Sequence, residues 1–205
     1  MTKPFHPCLY LGEPTGLFAE RVRSLRANIM LQLKQGRKSY LVTSCWEGEG
    51  KSTVCLNLAA ALAEFGLRVL LVDGDLRQRS LTRLLLPEAP GADLAVHTSD
   101  WIPKVSLVGA AACEEIGPAD RLAAPGYRQS VQALFVGYDV VLVDSPPLSA
   151  CSDALLLGRW VDGALLVTAQ ARFRGVAEGN FSEDLRESGV EVLGVVVTGV
   201  DPLRS

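Results

Sequence analysis

The stretch Thr43-Ser44-Cys45-Trp46-Glu47-Gly48-Glu49-Gly50-Lys51-Ser52-Thr53 decides the fold of this chain. A short apolar run, residues 40–42, precedes it, and a longer apolar run with the character of a helix, residues 54–62, follows it. A strand, a glycine-rich loop and a helix in this order build a cradle for phosphate, because loop N–H groups and the helix N-terminus point at anionic oxygens. The stretch therefore predicts a phosphate-binding loop in a nucleotide-binding domain.

Individual residues of this loop carry distinct chemistry. Lys51 supplies a positive charge for phosphate oxygens, and the Ser52 hydroxyl can ligate Mg²⁺. The general pattern G-x-x-x-x-G-K-[ST] has glycine where this chain has Cys45. Gly48 and Gly50 still permit a close approach of the backbone to a ligand. We therefore expect these two glycines to form the turn in spite of Cys45.

The composition is that of an ordinary globular protein. The chain has 205 residues, of which 48% are hydrophobic and 21% charged, and its net charge is −3. The acidic balance argues against non-specific nucleic-acid binding. The apolar runs are too short to span a bilayer and the N-terminus has no signal core, so we expect a cytoplasmic location. Five scattered cysteines without a C-x-x-C spacing, and two histidines, argue against a disulfide framework and a zinc site.

Strand-like and helix-like segments alternate along the chain. This alternation predicts an α/β fold with a doubly wound, mainly parallel sheet and helices on both faces. We interpret residues 1–16 as a flexible or surface-draped arm and residues 17–205 as one domain. The predicted strands cover residues 39–44, 68–72, 104–110, 139–143, 163–169 and 190–198, and the predicted helices cover residues 17–35, 51–65, 81–86, 127–135 and 174–187.

Aspartates follow two of the apolar strands. Asp73 and Asp75 come after residues 68–72, where they could hold Mg²⁺-bound water or accept a proton. Building a turn and capping the next helix explains them equally well. Asp144 ends residues 139–143 in the Walker B arrangement, in which a carboxylate binds Mg²⁺ directly or through water. Asp153 precedes an apolar run, and we expect it to cap a helix.

The first predicted helix carries a charged ridge. Glu20, Arg23 and Arg26 lie beside its apolar face at three-residue spacing. Spacing alone favours a solvated face with an intrahelical ion pair over a contact surface for another subunit.

Taken together, these motifs resemble the cytoplasmic kinase domain of bacterial tyrosine kinases. This is the CapB, CpsD and Wzc group of capsule and exopolysaccharide systems, within the P-loop class that includes MinD and ParA. The resemblance extends over residues 20–200 or so. It rests on Glu-x-x-Arg-x-x-Arg at residues 20–26, Gly-Glu-Gly-Lys-Ser-Thr at 48–53, Leu-Val-Asp-Gly-Asp-Leu-Arg at 71–77, Val-Leu-Val-Asp-Ser-Pro-Pro at 141–147 and Ser-Asp-Ala at 152–154.

The resemblance implies an Mg²⁺-ATP site in which each motif has a role. Lys51 is expected to bind the β- and γ-phosphates, with backbone groups of Gly48, Glu49 and Gly50, and Thr53 to contact the α-phosphate. Ser52, Asp75 and Asp144 are expected to position Mg²⁺, and Asp73 to deprotonate a tyrosine hydroxyl. In the family, the motif at Glu20, Arg23 and Arg26 mediates ring-like oligomers, so the resemblance reverses the preference drawn from spacing.

The chain departs from the family pattern at several positions. MinD and ParA relatives carry a second lysine where this chain has Trp46, which disfavours their ATP-sandwich dimer. The last strand of the family usually ends in an asparagine near adenine, and here the residue is Thr198. The C-terminal tyrosine cluster of the family is also missing. The chain has four tyrosines, of which Tyr10, in the arm, is predicted to be the most easily presented.

The sequence thus favours an Mg²⁺-ATP-dependent protein-tyrosine kinase, with a separate membrane-embedded co-polymerase as partner that recruits it to the inner face of the membrane. A second hypothesis keeps ATP binding but replaces tyrosine phosphorylation by an ATP-driven assembly switch, because the tyrosine cluster is missing. A third hypothesis is a non-catalytic nucleotide-binding module that docks a partner, and Cys45 and Thr198 are its support.

Overall fold

A seven-stranded sheet forms the centre of the molecule. The computed structural model describes residues 8–87, 94–110, 116–173 and 175–200. The strands are β1 (Ser39–Ser44), β2 (Val69–Asp73), β3 (Val96–Thr98), β4 (Val105–Val108), β5 (Val140–Asp144), β6 (Gly163–Ala169) and β7 (Val192–Thr198). Their order across the sheet is β3-β4-β2-β5-β1-β6-β7, and all neighbours are parallel except the antiparallel pair β3–β4.

Helices cover both faces of this sheet. They are α1 (Leu9–Gly12), α2 (Leu17–Lys34), α3 (Lys51–Glu64), α4 (Ser80–Leu85), α5 (Pro118–Ala123), α6 (Pro125–Leu134), α7 (Asp153–Gly158) and α8 (Val176–Glu187), with a 3₁₀ turn at Phe135–Gly137. The cluster on one face contains Ile29 and Leu58, and the cluster on the other contains Val131 and Leu185. None of the helices in the described residues is both long and apolar enough to cross a lipid bilayer.

The central strands are buried along their whole length. Every residue of β1, β2 and β5 is buried, because helices pack on both sides of them. Continuous apolar runs such as Val-Leu-Leu-Val are typical of strands in that position. The predicted doubly wound α/β fold is therefore confirmed.

Neither β3 nor α5 was predicted from the sequence. β3 has only three residues and pairs with β4 alone, so it is too short to show a periodic pattern. α5 begins at Pro118, a residue type that breaks the interior of a helix. Proline is well suited to the first turn of a helix because the N–H that it lacks has no partner there. Pro125 begins α6 in the same way.

The N-terminal segment does not behave as the arm that we predicted. Residues 1–7 lie outside the described residues, but Leu9–Gly12 form a helix and the side chains of Cys8 and Tyr10 are fully buried. The Tyr10 backbone N–H donates to Asn57 Oδ1 at 2.7 Å, and the Tyr10 hydroxyl donates to Glu64. The prediction of an easily presented Tyr10 was wrong, because two polar groups on α3 and an apolar recess hold it in place.

We predict that Tyr10→Ala lowers the free energy of unfolding by about 3 kcal/mol, since it removes a buried aromatic side chain. Tyr10→Phe should cost about 1 kcal/mol, the value of one hydrogen bond. Urea denaturation measures both changes. Leu9→Ala is the control, because Leu9 is 50% exposed, and it should change stability by less than about 0.5 kcal/mol. Equal effects at positions 9 and 10 would contradict the docking of α1.

Candidate nucleotide and metal site

Three neighbouring strand ends bring the predicted site together. β5 lies between β2 and β1, with Asp73 paired to Asp144 and Val42 also paired to Asp144. Neighbouring strands are about 4.8 Å apart, so the Cα atoms of the two aspartates are direct neighbours. β1 continues into the phosphate-binding loop two residues after Val42. The loop and the aspartates therefore meet at the carboxyl edge of the sheet, where open α/β sheets bind ligands.

The loop turns at its two glycines. Gly48 has φ +78° and Gly50 has φ +90°, a left-handed conformation that glycine adopts without strain. Cys45 is not among the described residues with positive φ, so its position does not require glycine. Burial, together with the nearby carboxylates of Glu49 and Glu178, raises the pKa of the Cys45 thiol to about 12. The expectation that Gly48 and Gly50 form the turn is confirmed, and Cys45 is an inert buried thiol.

Glu49 fixes this loop to the next strands. Its buried carboxylate accepts hydrogen bonds from the Trp46 N–H at 2.8 Å, the Ala169 N–H at 3.1 Å and Thr168 Oγ1 at 3.3 Å. Thr198 Oγ1 donates to the Glu49 carbonyl oxygen at 2.8 Å. The Glu49 carboxylate is thus occupied by hydrogen bonds within the protein, and only the Glu49 backbone N–H is available to bind phosphate. Sequence reasoning missed this bracing because the partners lie far along the chain.

Trp46 also has a partner within the chain. Its ring makes an edge-to-face contact with Phe181 of α8, at 5.8 Å between ring centroids. The residue that stands in place of a second lysine therefore packs the loop against α8.

Three residues at the start of α3 follow the loop. The Lys51 side chain is buried, Ser52 is half-buried and Thr53 is exposed. The Lys51 ammonium group and the Ser52 hydroxyl both lie close enough to Asp144 to lower the pKa of that carboxyl. The structure thus places Lys51 and Ser52 beside Asp144, whereas Thr53 faces outward.

Asp73 has one bonded oxygen and one free oxygen. Oδ2 accepts from the Thr82 N–H at 2.8 Å and from Thr82 Oγ1 at 2.7 Å. Oδ1 is buried and has no hydrogen-bond partner. Burial, aided by the charge of Asp75 and opposed by the two Thr82 hydrogen bonds, raises the pKa of Asp73 to about 6. Oδ1 is thus a buried acceptor with no partner in the protein.

Asp75 builds a turn, which was the alternative to a role in binding Mg²⁺. Its Oδ1 accepts from the backbone N–H groups of Arg77 at 3.1 Å and Gln78 at 2.8 Å, which builds the turn after β2. The carboxylate nevertheless belongs to the site electrostatically, because its charge contributes to the raised pKa of Asp144. Turn formation and a role in the site are therefore compatible.

Asp144 is the least satisfied polar group of the site. The side chain is 1% exposed, and neither carboxylate oxygen has a hydrogen-bond partner. Burial, together with the charges of Asp73 and Asp75, raises its pKa to about 8 against the opposing influence of the Ser52 hydroxyl and Lys51. A buried carboxylate without a partner is costly. Its position therefore suits a cation.

The donor set fits Mg²⁺ that is bound together with a phosphate ligand. Among the described residues, no three acidic, histidine or cysteine side chains converge into a metal site of their own. Mg²⁺ usually keeps several waters and takes only one or two carboxylates plus substrate phosphates. The free oxygens of Asp144, with Ser52 nearby, meet that requirement.

Gly74 sets the distance between β2 and β5 at the site. Its N–H donates to the Asp144 carbonyl oxygen at 2.8 Å, and a Cβ at Gly74 would lie 2.7 Å from that same oxygen. A side chain therefore cannot be added without moving β2 away from β5. The motif between Asp73 and Asp75 requires glycine for this close approach.

Asp153 does not cap α7 as predicted. The preceding residue Ser152 occupies the cap position, without a side-chain hydrogen bond, and the Asp153 carboxylate is 1% exposed. Arg77 Nε donates to Asp153 Oδ2 at 3.0 Å. This ion pair joins the turn after β2 to the segment after β5 and so fixes the two segments relative to each other.

A cleft of about 810 Å³ opens beside the phosphate-binding loop. Apolar side chains of α2, α3 and β7, among them Leu17, Val54 and Val196, form most of its wall. Gly50 and Thr53 line it as well, so the cleft begins where the loop ends. Thr198 lies at its border, but its hydroxyl is used to brace the loop.

The charged ridge of α2 makes contacts within the chain. Arg23 pairs with Glu20 and donates to the Pro14 carbonyl oxygen at 2.6 Å. Arg26 donates to the Ala61 carbonyl oxygen at 3.0 Å and to Glu64 Oε2 at 3.3 Å. Both arginines thus help to hold neighbouring segments. Glu20 is the most exposed of the three, with 65% of its side chain accessible.

We predict that Asp144→Asn stabilises the ligand-free protein but removes its stabilisation by Mg²⁺-nucleotide. The folded-state pKa of about 8 exceeds the ordinary value, so the charged group costs stability that grows as pH rises from about 4 to 8. The variant avoids that cost, so its gain in stability should be largest near pH 8, fall by about 1.4 kcal/mol for each pH unit below that, and approach zero near pH 4. Thermal unfolding with and without Mg²⁺-ADP measures both effects.

Asp139→Asn on the same segment is the matched control for this prediction. The hydrogen bond from Arg68 lowers the pKa of Asp139, and the side chain is 40% exposed. This substitution should therefore destabilise slightly and leave the nucleotide effect intact. A loss of stability in Asp144→Asn would show that the carboxylate is satisfied in the ligand-free protein.

Comparisons with known proteins agree with this geometry. The family described as the CobQ/CobB/MinD/ParA nucleotide binding domain matches residues 40–205. The tyrosine-protein kinase YwqD of Bacillus subtilis is 30% identical over 204 residues, covering 92% of this chain and 84% of YwqD. The putative tyrosine-protein kinase AmsA of Erwinia amylovora is 31% identical over 97% of this chain, which spans only 29% of AmsA.

A solved structure shows the same likeness. The BceF tyrosine kinase domain has 30% identity and a TM-score of 0.81, covering 95% of this chain and 82% of that domain. The chain therefore belongs to the CobQ/CobB/MinD/ParA nucleotide-binding domain family, and within it to the bacterial tyrosine-protein kinases.

Proposed function

We propose that this chain is an Mg²⁺-ATP-dependent protein-tyrosine kinase of exopolysaccharide or capsule assembly. The reaction moves the γ-phosphoryl group of ATP to a tyrosine hydroxyl. The observation that carries the proposal is the set of buried carboxylate oxygens without partners, Asp73 Oδ1 and both oxygens of Asp144, beside the Lys51–Ser52 end of the loop. An aspartate that accepts a proton and an aspartate that faces a metal are what phosphoryl transfer to a hydroxyl requires.

Each residue contributes a defined part. Lys51 and the backbone N–H groups of residues 48–50 bind the phosphates, and Thr53 contacts the phosphate nearest the ribose. Ser52, Asp75 and Asp144 would hold Mg²⁺, and the ion would supply positive charge to the transferred group. Asp73 takes the proton of the incoming hydroxyl. Most of the catalysis then comes from positioning and electrostatics, because phosphoryl transfer needs little covalent help from the protein.

The adenine base occupies the cleft beside Gly50 and Thr53. The apolar wall formed by α2, α3 and β7 suits a flat aromatic ring, and the cleft continues from the end of the loop that binds phosphate. Thr198 replaces the asparagine of the family, but its hydroxyl already donates to the Glu49 carbonyl. Base binding in this chain therefore rests on apolar contacts with the cleft.

We also propose a membrane-embedded polysaccharide co-polymerase as the separate partner that recruits this chain to the inner face of the membrane. Its support is the family resemblance and the identity of the relatives as bacterial tyrosine-protein kinases.

We predict that the protein, incubated with Mg²⁺-ATP and the cytoplasmic tail of such a partner, transfers phosphate to tyrosines of a Glu/Tyr copolymer. Lys51→Met should lower the rate by at least about 100-fold, since the phosphates lose their charged partner. Lys34→Met is the matched control, because this exposed lysine at the end of α2 lies outside the site. Phosphotyrosine immunodetection and mass spectrometry provide the readout. Absence of phosphotyrosine in the wild-type reaction would refute the kinase proposal.

One observation favours the second function, an ATP-driven assembly switch. All four tyrosines of the chain lie in the described residues, and none is exposed: Tyr10 and Tyr40 are buried, and Tyr127 and Tyr138 are half-buried. Self-phosphorylation on a presented tyrosine is therefore disfavoured. Steady release of ADP without phosphotyrosine on this chain, its partner or the copolymer would select the switch over the kinase.

Oligomer formation through α2 is a further part of the proposal. Glu20 tests it best, because Arg23 and Arg26 also hold segments of their own chain. We predict that Glu20→Ala lowers the molar mass measured by light scattering with Mg²⁺-ATP and leaves the thermal midpoint unchanged. Glu13→Ala, an exposed glutamate outside the motif, is the control. If Glu20→Ala and Glu13→Ala both keep the wild-type molar mass, Glu20 is excluded from the interface.

A further inference from the structure

A hydroxyl group behind the aspartates links three segments of the fold. Thr82 lies in α4 and is 5% exposed. Its Oγ1 lies 2.7 Å from Asp73 Oδ2 at the end of β2 and 2.8 Å from the N–H of Ala110, which follows β4. We infer that Thr82 is the positioning residue of the phosphoryl-transfer reaction, because it holds the Asp73 carboxylate so that Oδ1 alone is left to accept the proton of the incoming hydroxyl.

The direction of these hydrogen bonds is fixed. The Ala110 N–H can only donate, so Thr82 Oγ1 is the acceptor of that bond. The single hydrogen of the hydroxyl is then available for Asp73 Oδ2, which lies at 2.7 Å. The arrangement cannot reverse, because a backbone N–H has no acceptor function.

The two oxygens of Asp73 are therefore inequivalent. Oδ2 accepts two hydrogen bonds from Thr82, one from the hydroxyl and one from the backbone N–H at 2.8 Å. Oδ1 has no partner in the protein. Rotation of the carboxyl group would break both bonds at once, so Oδ1 stays the free oxygen.

Thr82 itself has little freedom to move. A β-branched side chain has few χ1 rotamers, and Thr82 lies against residues 109–110, which follow β4. A Cβ built on Gly109 would lie 3.3 Å from the Thr82 methyl carbon, so the space around this methyl group is already filled. The bond from the Ala110 N–H thus fixes the Thr82 hydroxyl, and the fixed hydroxyl in turn orients the Asp73 carboxylate.

This role rests on the proposed kinase function. In that reaction the tyrosine O–H bond breaks and its proton moves to Asp73 Oδ1. The tyrosine oxygen forms a bond to the γ-phosphorus while the bond from that phosphorus to the bridging oxygen breaks, and ADP leaves with the electron pair. Thr82 touches neither the loop nor the cleft, so its loss should lower turnover without changing nucleotide affinity.

The first test compares Thr82→Val with Thr82→Ser in the full chain, with Mg²⁺-ATP, the cytoplasmic tail of the proposed partner and a synthetic Glu/Tyr peptide as probe. Valine keeps the shape and removes the hydroxyl, and we expect kcat to fall by about 10- to 100-fold, a fraction of what a general base contributes. Serine restores the hydroxyl and should keep kcat within about threefold. KM for ATP and Mg²⁺-ADP affinity should stay within about twofold in both variants.

The second test separates positioning of the base from general weakening of the fold. A 3,5-difluorotyrosine peptide has a more acidic hydroxyl and needs less help from a base, so the Thr82→Val defect should shrink severalfold with it. Leu81→Val, a substitution at the fully buried neighbour in α4, controls for destabilisation and should leave kcat unchanged for both peptides. Equal defects on the two peptides, or a loss of kcat in Leu81→Val as large as in Thr82→Val, would overturn the inference.

Failure of the kinase proposal can be distinguished from failure of the Thr82 inference. If wild type forms no phosphotyrosine with either peptide, the kinase proposal and the inference built on it both fall. If wild type is active and Thr82→Val matches it, only the role of Thr82 is refuted.

Discussion

The site depends on carboxylates buried at the end of a parallel sheet without partners of their own. Asp144 lies on β5, between the strand that leads into the phosphate-binding loop and the strand that ends in Asp73. Burial there raises its pKa to about 8, and neither of its oxygens has a hydrogen-bond partner. The fold thus maintains an unfavourable electrostatic arrangement that a bound cation would relieve, and the proposed Mg²⁺ site would couple ligand binding to stability.

The surrounding structure keeps that arrangement from collapsing. Gly74 allows β2 to approach the Asp144 carbonyl, and the Arg77–Asp153 ion pair joins the two loops beyond the strands. On the other side, Glu49 fixes the phosphate-binding loop to β6 and β7. These contacts lie around the predicted ligand positions, so the site is organised before any ligand binds.

Motif reasoning selected the residues that the structure brings together at the strand ends, but not how they are held. Lys51, Ser52 and Asp144 follow from local patterns, because a glycine-rich loop and an aspartate at a strand end are visible in short windows. The partners of Glu49 and Asp73 are not, since Thr168 and Thr82 belong to other elements and match no motif. Tyr10 was misjudged for the same reason: its burial depends on Asn57 and Glu64 of α3, which no local pattern reveals.

Apolar periodicity and motif order were sufficient for the α/β class, the phosphate-binding loop and the three aspartates, because each depends on residues that are close in the chain. The register of β2 with β5, the docking of residues 8–12 and the division of Asp73 into a bonded and a free oxygen were decided by folding. The physical reason is that hydrogen bonding and burial at these positions are set by residues far apart in sequence, which meet only when the sheet and its helices have packed.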